Sequence, residues 1–141
     1  MKEIITFSPL ETEEFAANFS ASLIGGEIIA FKGDMGMGKT CFTRGLAKGL
    51  DFKGQVSSPT FALVNEYIGG RLDIYHFDMF RIDSWDDLYS SGWFEYIEKG
   101  GITVVEWSEN IEAALPDNAL IIEIIRIDDT TRKIVVRDGV V

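Results

Sequence analysis

Gly33-Asp34-Met35-Gly36-Met37-Gly38-Lys39-Thr40 follows the apolar run Glu27-Ile28-Ile29-Ala30-Phe31. It precedes a stretch in which Phe42, Leu46, Ala47 and Leu50 recur at helical spacing. This is a complete G-x-x-x-x-G-K-[ST] motif in the strand–loop–helix setting that gives the motif physical meaning. The glycines leave room for backbone N–H groups to curl around phosphate oxygens, and the helix N-terminus adds its dipole. Lys39 is then expected to reach the β- and γ-phosphates, and the Thr40 hydroxyl to hold magnesium. Gly33, Asp34, Met35, Gly36, Met37, Gly38, Lys39, Thr40 and Cys41 form the candidate nucleotide-contacting stretch.

The rest of the chain suits one compact unit built around that loop. At 141 residues, a single domain spanning 1–141 is expected. Hydrophobic residues make up 46% and aromatic residues 12%, enough for a core without staples. The formal charge is −10, from 23 acidic and 13 basic residues, which argues against a direct grip on nucleic acid. Lys32, Lys39 and Arg44 concentrate positive charge around the loop. One cysteine, Cys41, rules out an intramolecular disulfide. In the first turn of the helix, Cys41 reads most simply as a small side chain at a tight helix start. The first residues show no signal-peptide pattern and no apolar run approaches a membrane span, so a cytoplasmic location is expected.

Elsewhere the pattern alternates. Ile4 to Phe7 reads as a short strand. Ser8, Pro9 and Glu11 read as N-cap, first helical residue and capping-box acid of a helix whose stripe is Phe15, Phe19 and Leu23. Gly25-Gly26 ends it. Phe61–Ile68 and Arg71–Phe77 read as strands joined by a two-residue Gly69-Gly70 turn. Ser84 to Glu98 reads as a helix broken near Gly92, and Ile102 to Trp107 as a buried strand ending in an acid. Leu120–Ile127 and Ile134–Val136 close the chain as strands, the last at an edge. The expected fold is a three-layer α/β P-loop domain with a mixed, largely parallel sheet plus an antiparallel hairpin.

Two strand-end acids, Asp78 and Glu106, stand where ligands lie in parallel α/β sheets, although such acids also serve as solvated caps or surface pairs. His76 is the only histidine, so no histidine cluster for zinc can form, and it suits a supporting strand position better than a catalytic base. Arg81 fits the γ-phosphate, a partner protein, or a pair with Asp78 or Asp83. Arg44 fits packing or a phosphate-side role.

The motif, then Ser58-Pro59-Thr60-Phe61, Leu63-Val64-Asn65-Glu66-Tyr67, His76-Phe77-Asp78-Met79-Phe80-Arg81 and Val104-Val105-Glu106-Trp107, together closely resemble the TsaE family. The resemblance runs over nearly the whole chain. It implies ATP as substrate and magnesium as cofactor, in the threonylcarbamoyladenosine modification of tRNA. It also implies work with TsaB and TsaD, tRNA being met only indirectly. Thr60 would approach metal and γ-phosphate from a switch segment. Asp78 resembles the acidic magnesium-site residue. Glu106, grouped with Thr40 and Asp78 around the metal, resembles the carboxylate that positions or activates water, with Trp107 beside it at the nucleotide. Met35, Met37, Cys41, Phe80 and Ser108 depart from the usual family residues, and none removes a proposed ligand. Rival readings on the same fold are a small-molecule kinase and a nucleotide-gated binding switch. The chain has only six arginines for a kinase lid, and no N-K-x-D segment for guanine.

Overall fold

The computed structural model describes residues 2–32, 37–56 and 63–138. The elements in order are β1 Lys2–Thr6, α1 Pro9–Phe19, β2 Ile28–Lys32, α2 Met37–Gly49, β3 Val64–Tyr67 and β4 Ile74–Asp78. Then come α3 Trp85–Ser90, α4 Trp93–Tyr96, β5 Ile102–Glu106, β6 Leu120–Arg126 and β7 Arg132–Asp138. The strands form one seven-stranded sheet ordered β1-β7-β6-β2-β5-β4-β3. Its centre, β6-β2-β5-β4, is parallel, and β3, β7 and β1 pair antiparallel at the flanks.

Alternation along the strands divides the core between two faces. Ile29 and Phe31 of β2 join Ala16 of α1 and Phe42 and Leu46 of α2. Ile28 and Ala30 join Leu88 and Trp93 from α3 and α4. That makes three layers, as the alternating pattern predicts. No helix among the described residues is long and apolar enough to cross a membrane.

Helix α1 begins as its sequence indicates. Ser8 Oγ accepts from the Glu11 N–H at 3.1 Å, while Glu11 Oε1 accepts from the Phe7 N–H, one residue ahead of the usual capping-box donor. The stripe is shifted from expectation. Phe15 and Phe19 are half-buried against Phe42, and Leu23 is buried but lies past the helix end. The fully buried line is Thr12, Ala16 and Ser20. It faces α2 at close range, because a Cβ on Gly45 would lie 2.3 Å from the Glu13 carbonyl oxygen and 2.7 Å from the Ala16 Cβ. Gly92, at φ +85°, breaks the later helix into α3 and α4 where the sequence places the break.

Two expectations are corrected. The β3–β4 register pairs Tyr67 with Ile74, so residues 68–73 form the connection instead of a two-residue Gly69-Gly70 turn. Arg71 explains why. Its N–H donates to the Leu50 carbonyl and its guanidinium to the Leu23 and Ser20 carbonyls, pinning the connection to the ends of α1 and α2. The last strand is not an edge. β7 lies between β6 and β1, with Lys2 opposite Val136, so the N-terminal strand covers it.

Candidate functional site

The site is built at the C-terminal ends of β2, β5 and β4, three adjacent strands. β2 leads into the glycine-rich motif, and α2 starts at Met37, which sets Lys39 and Thr40 in its first turn. Lys39 is buried and Thr40 half-buried. The Lys39 carbonyl accepts from the Thr43 hydroxyl at 3.0 Å. Gly38 has a packing reason of its own, since a Cβ there would lie 2.7 Å from Ile124 Cγ2 of β6. Cys41 is buried within α2, with the Arg44 guanidinium 3.8 Å from its sulfur. Gly33, Asp34, Met35 and Gly36, the Met37 side chain, and Thr60 with its segment Ser58-Pro59-Thr60-Phe61 lie outside the described residues.

Asp78 and Glu106 end β4 and β5 and stand opposite one another in the parallel register. Strand alternation puts both on the sheet face covered by α1 and α2, because Ile74 and Val104 in the same phase belong to that core. Asp78 Oδ1 accepts from the Phe80 N–H at 2.9 Å, and the Met79 N–H donates to the Glu106 carbonyl at 3.0 Å. These two bonds fix the turn out of β4.

Glu106 Oε2 lies 2.6 Å from His76 Nε2, and His76 Nδ1 lies 3.2 Å from the Tyr67 hydroxyl. A carboxylate only accepts, so Nε2–H donates to Glu106; in the neutral ring Nδ1 then accepts from Tyr67. The His76 side chain is fully buried, whereas that of Glu106 is 14% exposed. Sequence reading gave His76 a supporting position but missed Tyr67. Tyr67 and His76 are diagonal neighbours on one face, a pairing that depends on the register set by the longer connection.

On the far side of the strand ends, Trp107 adopts a left-handed backbone at φ 60° and ψ 41°. Its ring packs 4.8 Å from the Phe80 ring and against the α3–α4 core. Ser108, a departure from the family pattern, is buried and donates to the Phe31 carbonyl at 2.9 Å. The turn after Glu106 is thereby tied to the strand that enters the motif. Asn110 Nδ2 holds the Met79 and Phe80 carbonyls at 2.8 and 3.2 Å. Neither contact is legible in local sequence, because each spans at least thirty residues.

Of the two roles that the sequence leaves open for Arg44, the structure shows packing. Lys32 pairs with Glu112 at 3.6 Å, and Arg44 with Glu13 at 3.5 Å, so both are engaged in pairing within the protein. Arg44 serves the α1–α2 contact alongside Lys48, whose Nζ lies 2.7 Å from Glu13. Arg81 is exposed, and among the described residues no carboxylate lies within ion-pair distance of it. Asp83, one of its candidate partners, shares a hydrogen bond with Asp87 that raises its carboxyl above the usual value.

The candidate donors are oxygens: the Thr40 hydroxyl in the first turn of α2 and the Asp78 and Glu106 carboxylates at the strand ends. The one imidazole is already directed at Tyr67 and Glu106. This donor set fits a hard cation such as magnesium, which is commonly bound by one or two carboxylates plus substrate phosphates.

A central parallel sheet with helices on both faces, and a strand–motif–helix unit beside two strand-end acids, defines an α/β protein of the P-loop NTPase fold. A family model described as "Threonylcarbamoyl adenosine biosynthesis protein TsaE" matches residues 6–134. The chain belongs to the TsaE family. It is 40% identical over 129 residues to "tRNA threonylcarbamoyladenosine biosynthesis protein TsaE" of Bacillus subtilis (strain 168), covering 92% of this chain and 80% of that protein. The protein of the same name from Aquifex aeolicus (strain VF5) is 38% identical over 136 residues, covering 95% of this chain and 94% of the other. The crystal structure of Bacillus subtilis YdiB superposes with a TM-score of 0.81 at 34% identity, covering 99% of this chain and 86% of that one.

Proposed function

We propose that the chain is a magnesium-dependent ATPase that supports TsaB and TsaD in the threonylcarbamoyladenosine modification of tRNA. The observation that carries this reading is the in-register pair of acids, Asp78 and Glu106, on strands beside the one that enters the motif. In its support, Lys39 and Thr40 sit in the first turn of α2, where backbone N–H groups and the helix dipole favour phosphate. Lys39 neutralises the β- and γ-phosphates. The motif from Gly33 to Gly38 would supply backbone N–H groups to them, and Cys41 continues the helix beneath. Thr40 and Asp78, with Glu106, would hold the metal, which when bound would supply charge neutralisation on the phosphate oxygens. Glu106, anchored through Oε2, orients water with its other oxygen for in-line attack on the γ-phosphorus. The bond to the bridging oxygen breaks, and ADP and phosphate leave. Thr60 is assigned to the γ-phosphate by the family resemblance alone, and Trp107 with Phe80 offers an aromatic surface to the nucleotide. Catalysis of this kind is positioning and charge stabilisation.

Phosphate release from ATP, measured with magnesium and again with excess chelator, tests the reading. Release that requires magnesium, with water as the acceptor, supports it. Release unaffected by chelation overturns the metal assignment, and transfer of the γ-phosphate to an added small acceptor would replace the ATPase by a kinase.

A further inference from the structure

The second oxygen of Glu106 can orient a water only if the carboxylate is held in one place. Glutamate has three rotatable side-chain bonds, and a partly exposed one at a strand end samples several rotamers unless something fixes it. Among the described residues, the sole hydrogen-bond partner of the Glu106 carboxylate is His76 Nε2, at 2.6 Å. That imidazole has no latitude of its own. It is fully buried in β4, its far nitrogen is 3.2 Å from the Tyr67 hydroxyl, and its ring centroid lies 6.0 Å from that of Tyr67. β3, β4 and β5 are adjacent strands, so Tyr67, His76 and Glu106 run across the sheet as a row from its β3 edge towards its centre.

From this we infer that His76 is a positioning residue for hydrolysis, acting through Glu106, with Tyr67 fixing the orientation of its ring. The inference rests on the reading of Glu106 as the water-orienting carboxylate. The row moves no proton and binds no nucleotide. It narrows the places the carboxylate can occupy, as outer hydrogen-bond partners do for groups at catalytic centres. The same contact also serves the fold, because a buried imidazole needs partners for both nitrogens. A purely structural role predicts loss of stability without a selective effect on the chemical step.

The test uses the full chain in single-turnover ATP hydrolysis, with the affinity for a non-hydrolysable ATP analogue measured in parallel. His76→Leu should lower the hydrolysis rate roughly 10–100-fold, the usual range for lost outer partners, while analogue affinity stays within about twofold. His76→Gln, whose amide nitrogen reaches toward the Nε2 position, should recover most of the rate. Tyr67→Phe should lower the rate by a smaller factor, and it carries the test together with His76→Gln if His76→Leu does not fold. Combined with Glu106→Ala, His76→Leu should add little further loss, since the two act as one unit. Loss of analogue affinity in step with rate overturns the inference, as does a folded His76→Leu or Tyr67→Phe at wild-type rate. If Glu106→Ala itself hydrolyses ATP normally, the assignment of Glu106 fails. If Glu106→Ala is inactive while the His76 and Tyr67 variants are normal, only the positioning row fails.

Discussion

Asp78 and Glu106 stand opposite each other at the ends of neighbouring parallel strands, and each is held differently. The Asp78 carboxylate accepts from the Phe80 backbone N–H, whereas the Glu106 carboxylate accepts from a buried imidazole. We predict that the two separate in function. Asp78→Ala should weaken the magnesium-dependent part of ATP binding. Glu106→Ala should leave binding largely intact and suppress hydrolysis, because orienting water matters chiefly in the chemical step. Titration calorimetry with and without magnesium, alongside turnover, checks both variants. Equal loss of binding in the two would show the roles to be wrongly assigned.

Lys39 is buried in the first turn of α2 and is proposed as the main cation on the γ-phosphate. Removing one preorganised charge-stabilising donor costs roughly 10²–10³ in rate, and Lys39→Ala should cost at least that. The variant should keep a cooperative melt, since the α1–α2 contact is formed by other residues. Turnover at the wild-type level by Lys39→Ala would rule out a phosphate site at this position.

The charge of −10 repels a phosphate backbone, and at least two basic side chains near the motif, Lys32 and Arg44, are already paired with glutamates. The protein alone is therefore expected to bind tRNA poorly at physiological salt. Sub-micromolar binding in a filter or fluorescence assay would contradict this and favour direct RNA recognition.

The α1–α2 crossing depends on glycine. A methyl group on Gly45 would meet the Glu13 carbonyl and the Ala16 side chain well inside van der Waals distance. Gly45→Ala is expected to destabilise the fold by about 1–3 kcal/mol despite alanine's better helix propensity. Urea denaturation checks the sign, and a stabilised variant would mean that the helices separate at little cost.

Much of this fold is legible in sequence where the signal is local. The motif between an apolar strand and a helical stripe, the Ser8 cap, the Gly92 break and the strand ending at Glu106 are all written within a few residues. What escaped is set by distant contacts. The Gly69-Gly70 pair reads as a tight turn, but Arg71 reaches the carbonyls of Ser20 and Leu23 and stretches the connection. The final strand reads as an edge because its cover, β1, comes from the other end of the chain. At the site, the acids were visible as strand ends. The row from Tyr67 through His76 to Glu106, and the bond from Ser108 to Phe31, appear only once the sheet order is known. Proximity in sequence likewise does not reveal that Glu13 and Glu112 lie opposite Arg44 and Lys32.

We propose that this chain is a slow ATPase alone and an effective one in the presence of TsaB and TsaD. A positive group on the developing γ-phosphate charge is worth roughly 10³–10⁵ in rate when a partner supplies it. Here Arg44 is paired with Glu13, while Arg81 is exposed at the end of β4, where a partner surface would decide its position. The most direct measurement is steady-state ATP turnover by the purified chain alone, then with TsaB and TsaD, then with tRNA added. Low turnover alone and a large rise with TsaB and TsaD, or one that depends on tRNA, is the expected result. Turnover of many ATP per second by the chain alone, unchanged by partners or tRNA, would contradict it and favour an autonomous ATPase or kinase.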